Sequence, residues 1–485
     1  MLLHFNLRPV LFINGALLAI LSAGMLVPAL ADALVADANW KVFAASSGVT
    51  MFIAVSLMIA TRQDRGVLSP RQAFIMVFAS WLATALFGAL PFLFSDAVLT
   101  FSDAFFESTS GITTTGATVL TGLDGLSPGL LLWRGMLQWL GGIGLIVMAI
   151  FVLPELRVGG MQFFRPEGGG HSEASSPRVV SLASRIFAIY AGITVIGMVV
   201  LLLLGLRPLD AIVHAMTSVA TGGFSNYDRS IAEFESAAVE VVLMVLMVAG
   251  ALPFLHILRA LLGHREALFR DPQVRWMLRV LVASVLAVTA WLVATSDFGV
   301  LEALRAASFN TVSMMTGTGY STAAYDGWGA FPAVLLLLLM LTGGCVGSST
   351  SGLKVFRVQV LLASLRTQLR RLSLPRAVLF ARYAGRPVDE GVQLSVLVFF
   401  CLYLFTVAAA AVIFSLMGMD LISSVSGAVS AVANIGPGYG EIIGPTGNYA
   451  PLSDGLKWVF ALTMILGRLE LYAVLVLFSP SFWRD

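Results

Sequence analysis

The stretch VATGGFSN, residues 219–226, decides the fold of this chain. It joins adjacent glycines to hydroxyl and amide side chains, and it lies between apolar segments long enough to cross a lipid bilayer. Non-helical backbone persists at membrane depth only where it is buried in protein or lines a water-filled cavity, because hydrocarbon leaves its polar groups unsatisfied. The stretch therefore predicts a membrane protein with an internal polar passage.

Composition supports an integral membrane protein. Of 485 residues, 58% are hydrophobic and only 12% are charged, and the mean hydropathy is +0.90, far outside the range of ordinary soluble domains. The net charge of +2 is too small to indicate nucleic-acid binding. Cys345 and Cys401 are the only cysteines, so neither a disulfide framework nor a thiolate metal site is expected.

Ten apolar segments have roughly the 20 residues that a spanning helix needs. The first resembles a secretory signal, because Ala29 and Ala31 have the small-x-small form of a cleavage site. Its apolar run from Val10 to Val27 is longer than a typical signal core, so we expect a retained helix. The segments lie near residues 8–30, 42–61, 70–94, 128–153, 182–206, 237–262, 275–296, 331–346, 393–417 and 456–479.

Basic residues concentrate in four alternate loops, whereas the loops between them are mainly acidic. The positive-inside rule therefore predicts that both termini and the basic loops are cytoplasmic. An anionic outer face would concentrate cations. The four basic groups are Arg62, Arg65 and Arg71; Arg157, Arg165, Arg178 and Arg185; Arg259, Arg265, Arg270, Arg275 and Arg279; and Lys354, Arg357, Arg366, Arg370, Arg371, Arg376, Arg382 and Arg386.

Four outer loops share one pattern, a short apolar stretch that ends in a cluster of glycines and hydroxyls. At about 1.5 Å per residue, a helix over such a stretch reaches halfway through a core of about 30 Å, which predicts re-entrant segments. Aligned on Gly116, Gly222, Gly317 and Gly436, the unit recurs every hundred residues or so, as an internal repeat. The stretches are DAFFESTSGITTTGAT from Asp103, DAIVHAMTSVATGGFS from Asp210, EALRAASFNTVSMMTGTGYS from Glu302 and ISSVSGAVSAVANIGPGYG from Ile422.

The clusters have the chemistry of a cation site. Glycine permits backbone conformations that turn successive carbonyls to one side, and rings of carbonyls replace the hydration shell of an ion in potassium channel filters. The negative C-terminal ends of the short helices favour a cation at the membrane centre. One such cluster is equally typical of an extracellular turn or a helix-packing motif, but four at matching positions favour a pore.

The motifs TTTGAT, ATGGFS, MTGTGYST and ANIGPGYG together resemble those of the superfamily of K+ transporters that includes TrkH, KtrB and the plant HKT proteins. The resemblance covers essentially the whole chain, and the two additional N-terminal helices and the length favour the TrkH branch. It implies an all-α membrane protein with four pseudo-symmetric helix–pore loop–helix repeats around one central pore. The expected units are the N-terminal helix pair 1–66 and the repeats 67–157, 158–266, 267–388 and 389–485.

The resemblance also implies a K+ selectivity filter with three residues from each repeat. The first two of each three would hold K+, and the third is the aligned glycine. Because no repeat carries a complete TVGYG run, we expect modest selectivity for K+ over Na+. The filter residues are Thr114, Thr115 and Gly116; Ala220, Thr221 and Gly222; Met315, Thr316 and Gly317; and Asn434, Ile435 and Gly436.

The resemblance further implies a gate formed by a loop and an arginine. The stretch TGGCVGSSTSGLKV, residues 342–355, interrupts an apolar segment and resembles an intramembrane loop beneath the filter; the alternative is a kinked helix end. Arg468 lies within an apolar segment, where a charge is costly, and would be a barrier in the pore; the alternative is an ion pair with Glu470 or Glu107. The gate residues are Gly343, Gly344, Gly347, Ser348, Ser349, Thr350, Ser351, Gly352 and Arg468.

The function implied is K+ uptake across the bacterial inner membrane by a multi-pass protein, with K+ ions in the filter and no covalent cofactor. A homodimer in contact with membrane lipids is implied, with a cytosolic TrkA-like ring that binds the nucleotide and docks on residues 354–386. That basic segment is also typical of a membrane anchor. The alternatives are a K+/H+ or K+/Na+ symporter with alternating access and a membrane enzyme, which would need clustered acids or histidines. His214 is expected to be a satisfied buried histidine rather than a proton site.

Overall fold

The structure is a computed structural model that describes residues 6–62, 69–97, 99–152, 159–161 and 177–483. Arg65, Arg157 and Arg165 of the predicted basic loops lie outside the described residues, as does the side chain of Arg178. The described part is almost entirely helical, with one two-stranded antiparallel hairpin in which Tyr383 pairs with Arg386.

The helices follow one another with short connections. They are α1 (Arg8–Leu34), α2 (Trp40–Ala60), α3 (Pro70–Gly88), α4 (Leu90–Phe94), α5 (Phe101–Ile112), α6 (Pro128–Val147), α7 (Pro177–Leu203), α8 (Pro208–Val219), α9 (Ala237–Ala251), α10 (Phe254–Leu261), α11 (Glu266–Phe269), α12 (Pro272–Thr295), α13 (Val300–Thr316), α14 (Ala330–Thr342), α15 (Val355–Ser373), α16 (Glu390–Leu416), α17 (Leu421–Ala433), α18 (Asp454–Arg468) and α19 (Tyr472–Leu475). A π-helical turn, Met148–Val152, follows α6, and the strands are β1 (Arg382–Tyr383) and β2 (Arg386–Pro387).

Seven helical spans in the described part are long and apolar enough to cross a membrane. Two other predicted spans are not straight: α9 and α10 meet at 101°, and α18 is bent by 107° from the segment Tyr472–Phe478. The first bend coincides with Pro253, which has no N–H to continue a helix. At the second, Glu470 and Leu471 have φ of 58° and 50°, outside helical geometry. The expectation of continuous helices over 237–262 and 456–479 is therefore wrong.

Four short helices, α5, α8, α13 and α17, form the re-entrant segments that the sequence predicted. They contain 12, 12, 17 and 13 residues. Side chains cap the N-termini of two of them: Thr100 and Asp103 form a capping box on α5, and Asp420 accepts hydrogen bonds from the first amides of α17. Each short helix ends where its glycine cluster begins, and a further helix precedes and follows it in the chain. The chain is thus an all-α membrane protein with four helix–pore loop–helix repeats and two N-terminal helices.

The N-terminal helices are attached to the repeats through a buried carboxylate. Asp32, near the end of α1, is inaccessible to solvent. It accepts hydrogen bonds from the Gly129 amide at 2.5 Å and the Ser127 hydroxyl at 3.4 Å, at the start of α6. The Gly129 amide is one of those that the helix itself leaves unsatisfied. The α1–α2 pair is held by reciprocal hydrogen bonds between Ser22 and Ser47, at 2.8 and 2.9 Å.

Replacing Asp32 should therefore weaken the attachment of α1. We expect Asp32→Ala to lower the free energy of unfolding by about 1–2 kcal/mol, because the Gly129 amide and the Ser127 hydroxyl lose their acceptor in a site closed to water. The melting temperature of the detergent-purified protein measures this effect. Asp32→Asn keeps one acceptor oxygen and should lower the melting temperature less. Asp297→Ala, at an exposed position, should have the melting temperature of the parent protein. Equal melting temperatures for Asp32→Ala and Asp297→Ala would contradict this role.

Candidate ion pathway

The four glycine clusters meet at one cavity. The cavity has a volume of about 280 Å³, and each cluster contributes a glycine to its wall: Gly116, Gly223, Gly319 and Gly436. Residues just after each glycine, such as Ser225 and Ser321, line the same space. The predicted convergence on a common axis is therefore present in the structure.

The backbone places two clusters in a different register from the one that sequence alignment indicated. After each short helix, an amide bonds back to the carbonyl five residues earlier, in the Schellman pattern. These bonds are Thr115 to Ser110 at 2.8 Å, Gly222 to Thr217 at 2.8 Å, Thr318 to Ser313 at 2.9 Å and Ile435 to Ser430 at 2.9 Å. The positions equivalent to Gly116 and Gly436 are thus Gly223 and Gly319, and the alignment on Gly222 and Gly317 is wrong by one and two residues.

The corrected register changes where the named filter residues lie. Ala220 is the C-cap of α8, and Met315 and Thr316 belong to the last turn of α13, so these three precede the shared strand. The equivalent strands are 114–116, 221–223, 317–319 and 434–436. Each begins with a left-handed residue, with φ of 54° at Thr114, 51° at Thr221, 75° at Gly317 and 55° at Asn434.

Left-handed threonines are unusual. The conformation costs a non-glycine residue on the order of 1–3 kcal/mol, and such residues cluster at functional sites. Thr114 and Thr221 are β-branched, which makes the strain more marked. The surrounding repeats therefore stabilise a backbone shape that these residues would not adopt on their own.

The third position of each strand requires glycine because the neighbouring strand touches it. A Cβ on Gly116 would collide with the carbonyl oxygen of Gly222, and one on Gly223 would collide with that of Thr318. A Cβ on Gly319 would lie 3.0 Å from the amide nitrogen of Gly436, and one on Gly436 would reach the backbone of Gly116. The four strands thus follow one another around a closed ring.

Threonine hydroxyls near the ring form hydrogen bonds with other side chains of the protein. Thr113 and Thr115 bond to each other at 2.7 Å, and Thr316 and Thr318 do so at 2.9 Å. The Asn434 amide donates to the Thr115 hydroxyl at 3.1 Å. These contacts tie the threonine and asparagine side chains to neighbouring residues of the ring.

A buried ion pair at the wall of the cavity supports the ring, and sequence analysis missed it. Arg134 of α6 and Glu107 of α5 are 1% and 0% exposed, and Nε lies 2.8 Å from Oε1. Arg134 also donates to the Ser225 carbonyl at 2.7 Å and to the Thr118 hydroxyl at 3.2 Å, while Glu107 accepts from the Val119 amide at 3.0 Å. The pair joins the backbone after Gly116 to the backbone after Gly223. The available signal was a lone arginine within an apolar segment.

Two other polar side chains hold the second strand. Gln138 donates to the Gly222 carbonyl at 2.6 Å and accepts from the Phe224 amide at 3.0 Å. His214 is fully buried, with Nδ1 2.8 Å from the Asp210 carbonyl and Nε2 3.0 Å from the Ser225 hydroxyl. His214 is thus the satisfied buried histidine that was expected.

The predicted loop separates α14 from α15, and the chain is non-helical from Gly343 to Lys354. Its amides bond to the end of α9, from Cys345 to Ala251 and from Ser349 to Gly250, both at 3.1 Å. The Ser349 hydroxyl donates to the Val219 carbonyl, the last residue of α8, at 2.9 Å. The loop therefore lies against the second strand and is not a kinked helix end. The remaining named residues, Gly344, Gly347, Ser348, Thr350, Ser351 and Gly352, lie along it.

Arg468 is fully buried and bonds to this loop. It donates to the Ser349 carbonyl at 3.2 Å, to the Ser351 hydroxyl at 2.6 Å and to the Gly141 carbonyl at 3.2 Å. Glu470 pairs instead with Arg357, and Glu107 with Arg134. The ion-pair alternative for Arg468 therefore fails for both carboxylates that were considered.

Two members of the fourth basic group are interior residues. Lys354 is 1% exposed and its ammonium donates to the Thr350 carbonyl of the loop. Arg357 is 0% exposed, pairs with Glu470 and lies 3.8 Å from the centre of the Phe399 ring. Their assignment to a cytoplasmic surface is wrong. The other six, Arg366, Arg370, Arg371, Arg376, Arg382 and Arg386, are exposed or half-buried on α15 and the following segment.

Comparison with known proteins agrees with this architecture. The model of the TrkH family, described as cation transport proteins, matches residues 41–484. The Trk system potassium uptake protein TrkI of Halomonas elongata is 41% identical over 98% of this chain and 97% of its own length. TrkH of Escherichia coli K12 is 36% identical over the full length of both chains.

A solved structure is similar throughout. The crystal structure of the potassium transporter TrkH from Vibrio parahaemolyticus has a TM-score of 0.92 and 33% sequence identity, and the match covers 99% of this chain and 100% of that one. Both the family model and the full-length relatives therefore lead to one conclusion: the chain belongs to the TrkH family of cation transport proteins.

Proposed function

We propose that this chain takes up K+ across the bacterial inner membrane through the cavity where the four strands meet. The observation that carries the proposal is the closed ring of Gly116, Gly223, Gly319 and Gly436, in which each strand contacts the next. Relatives along the full length of the chain are named potassium uptake proteins. A ring of backbone oxygens is the arrangement that replaces water around a monovalent cation.

The filter that we propose consists of the strands 114–116, 221–223, 317–319 and 434–436. The four short helices end at these strands, so their partial negative charges add to the attraction for a cation. The units that carry the strands are the repeats 67–157, 158–266, 267–388 and 389–485, after the helix pair 1–66. Both termini would face the cytoplasm, as the charge distribution of the loops indicates.

The proposed gate is the loop Gly343 to Gly352 together with Arg468. Two unit charges about 4 Å apart interact by about 4 kcal/mol at an effective dielectric constant of about 20. A buried guanidinium close to the path would therefore oppose a passing cation strongly. Its hydrogen bonds to Ser349 and Ser351 connect that charge to the loop, so movement of the loop would move the barrier.

The proposed partners are a second copy of the chain, membrane lipids and a cytosolic TrkA-like ring that binds the regulating nucleotide. The exposed basic side chains of α15 and the hairpin, Arg366 to Arg386, offer a surface for such a ring. Basic charge alone also suits a membrane anchor. Loss of binding to the ring, without loss of membrane insertion, on neutralising Arg370 and Arg376 would separate these roles.

Flux in liposomes tests the function directly. Purified protein should admit rubidium when a potassium diffusion potential is the only driving force, because a pore needs no second ion, and rubidium should pass faster than sodium. An ion-coupled carrier would instead require an opposing or accompanying proton or sodium gradient. Absence of rubidium flux under every gradient would contradict the proposed function.

The register of the second strand can be tested by paired substitutions. We expect Gly223→Ala to reduce rubidium flux roughly tenfold or more, equivalent to about 1.4 kcal/mol, because its methyl would meet the Thr318 carbonyl and φ is +80°. Gly222→Ala should be milder, since its methyl meets the end of the Gln138 side chain. Gly122→Ala is the control, with φ of +65° and open space around it. If Gly222→Ala loses more rubidium flux than Gly223→Ala, the sequence-based alignment on Gly222 is correct after all.

The barrier at Arg468 predicts a gain of flux. Arg468→Gln should raise rubidium flux by roughly tenfold or more, because each reduction of about 1.4 kcal/mol in the barrier gives a factor of ten. Arg468→Lys keeps the charge and should stay nearer the parent rate. The same change at the exposed Arg366 is the matched control. An unchanged or lower rate in folded Arg468→Gln protein would argue against a barrier at this position.

A further inference from the structure

A second cavity, which shares no lining residue with the first, opens between helices α1, α3 and α6. Its volume is about 370 Å³, within the range of small-molecule sites. Leu17 and Ile20 of α1, Trp81 of α3 and Gly141 and Gly144 of α6 form parts of its wall. We call this space the α1–α6 groove.

The lining of the groove suits hydrocarbon. None of its lining residues is charged. Its hydroxyls are already satisfied within α3, since Ser80 donates to the Met76 carbonyl and Thr84 to the Ser80 carbonyl, both at 2.7 Å. The walls thus offer no free hydroxyl proton to a polar ligand or to water, and water enters cavities only where polar partners are present.

The groove is continuous with the lipid-facing surface of α1. Leu17 and Ile20 line it and are 39% and 60% exposed. Ile20 lies 12 residues after Arg8, the first residue of α1, which places it about 18 Å along the helix. That position is near the middle of a hydrocarbon core of about 30 Å, so lipid tails rather than headgroups are the medium at its mouth.

The inner wall of the groove also supports Arg468. The Gly141 carbonyl accepts a hydrogen bond from Arg468 at 3.2 Å, and the guanidinium carbon lies 5.6 Å from the centre of a Trp81 ring. Gly141 touches the end of α5 as well, since a Cβ there would collide with the Ile112 carbonyl. A ligand in the groove would press on Gly141 and Trp81, two of the residues that contact Arg468.

We propose that the α1–α6 groove binds the acyl tail of a membrane phospholipid, and that this tail sets the position of Arg468. The occupant follows from the uncharged lining, the satisfied hydroxyls and the mouth at mid-membrane depth. The first half of the proposal concerns binding alone. The second half rests on the proposed function, because it is measured as ion flux.

Tryptophan quenching by phospholipids with brominated tails tests binding. The contribution of Trp81 is the difference between the parent protein and Trp81→Phe. We expect Gly144→Leu to reduce that contribution several-fold by filling the groove, since a Cβ at Gly144 has only an ordinary contact of 3.8 Å to Trp81. Gly48→Leu is the matched control on α2, with nothing within 4 Å. Ser80→Leu repeats the test from the α3 wall if Gly144→Leu does not fold.

Rubidium flux with two kinds of lipid tests the second half. Straight tails fit a narrow groove better than methyl-branched tails, so the parent protein and Gly48→Leu should differ several-fold in flux between the two lipids. Gly144→Leu should lose this difference, because a leucine side chain permanently replaces the tail. If the parent, Gly48→Leu and Gly144→Leu proteins all show the same ratio of flux between the two lipids, the link to Arg468 is overturned. If the Trp81 quenching is equal in Gly144→Leu and Gly48→Leu, the site itself is overturned. Absence of flux in the parent protein would count against the proposed function while the quenching still reports on the groove.

Discussion

The structure depends on how polar backbone is satisfied at membrane depth. Four short helices end at the membrane interior, and each is closed by an amide that bonds back five residues, from Thr115, Gly222, Thr318 and Ile435. These bonds use the amides, but carbonyls of the following strands lie outside the hydrogen-bond pattern of the helices. Hydrocarbon cannot satisfy such groups, so the longer helices must enclose them. Enclosure and the closed ring of glycines are thus two consequences of one constraint.

The fully buried arginines described above divide into two kinds. Arg134 and Arg357 each face a carboxylate, Glu107 and Glu470 respectively, so their charge is largely compensated within the protein. Arg468 is held by two carbonyls and a hydroxyl, all neutral oxygens. Leaving a buried charge without a counter-ion is costly, and such a cost is typical of a functional position in a membrane protein. The electrostatic barrier is therefore expected at Arg468 and not at the compensated arginines.

Sequence reasoning predicted the repeated pattern because hydrophobic length and glycine clusters are local signals. The register failed in the second and third clusters, where ATGGFS and MTGTGYS each contain two glycines; only the left-handed backbone at Thr221 and Gly317 distinguishes them. Sequence analysis placed Lys354 and Arg357 in a cytoplasmic loop, because a count of charges does not show which residues form ion pairs. The ion-pair partner of Arg357, Glu470, lies 113 residues away in the sequence. The bends after α9 and α18 coincide with Pro253 and with the left-handed residues Glu470 and Leu471, and a hydropathy profile registers neither feature.

The proposed arrangement, a filter built by all four repeats and a gate built by one loop and one arginine, is physically consistent. A dehydrated ion needs oxygen atoms on all sides, so all four repeats must supply a strand. Barriers along a single passage act in series, and the highest one controls the rate, so one obstruction suffices. The contacts follow this logic: Arg468 of α18 reaches Ser349 of the loop, and that serine reaches Val219 at the end of α8. Arg468 also donates to the carbonyl of Gly141 in α6. One loop and one arginine are therefore connected to helices of all four repeats, and a local movement can act on the whole passage.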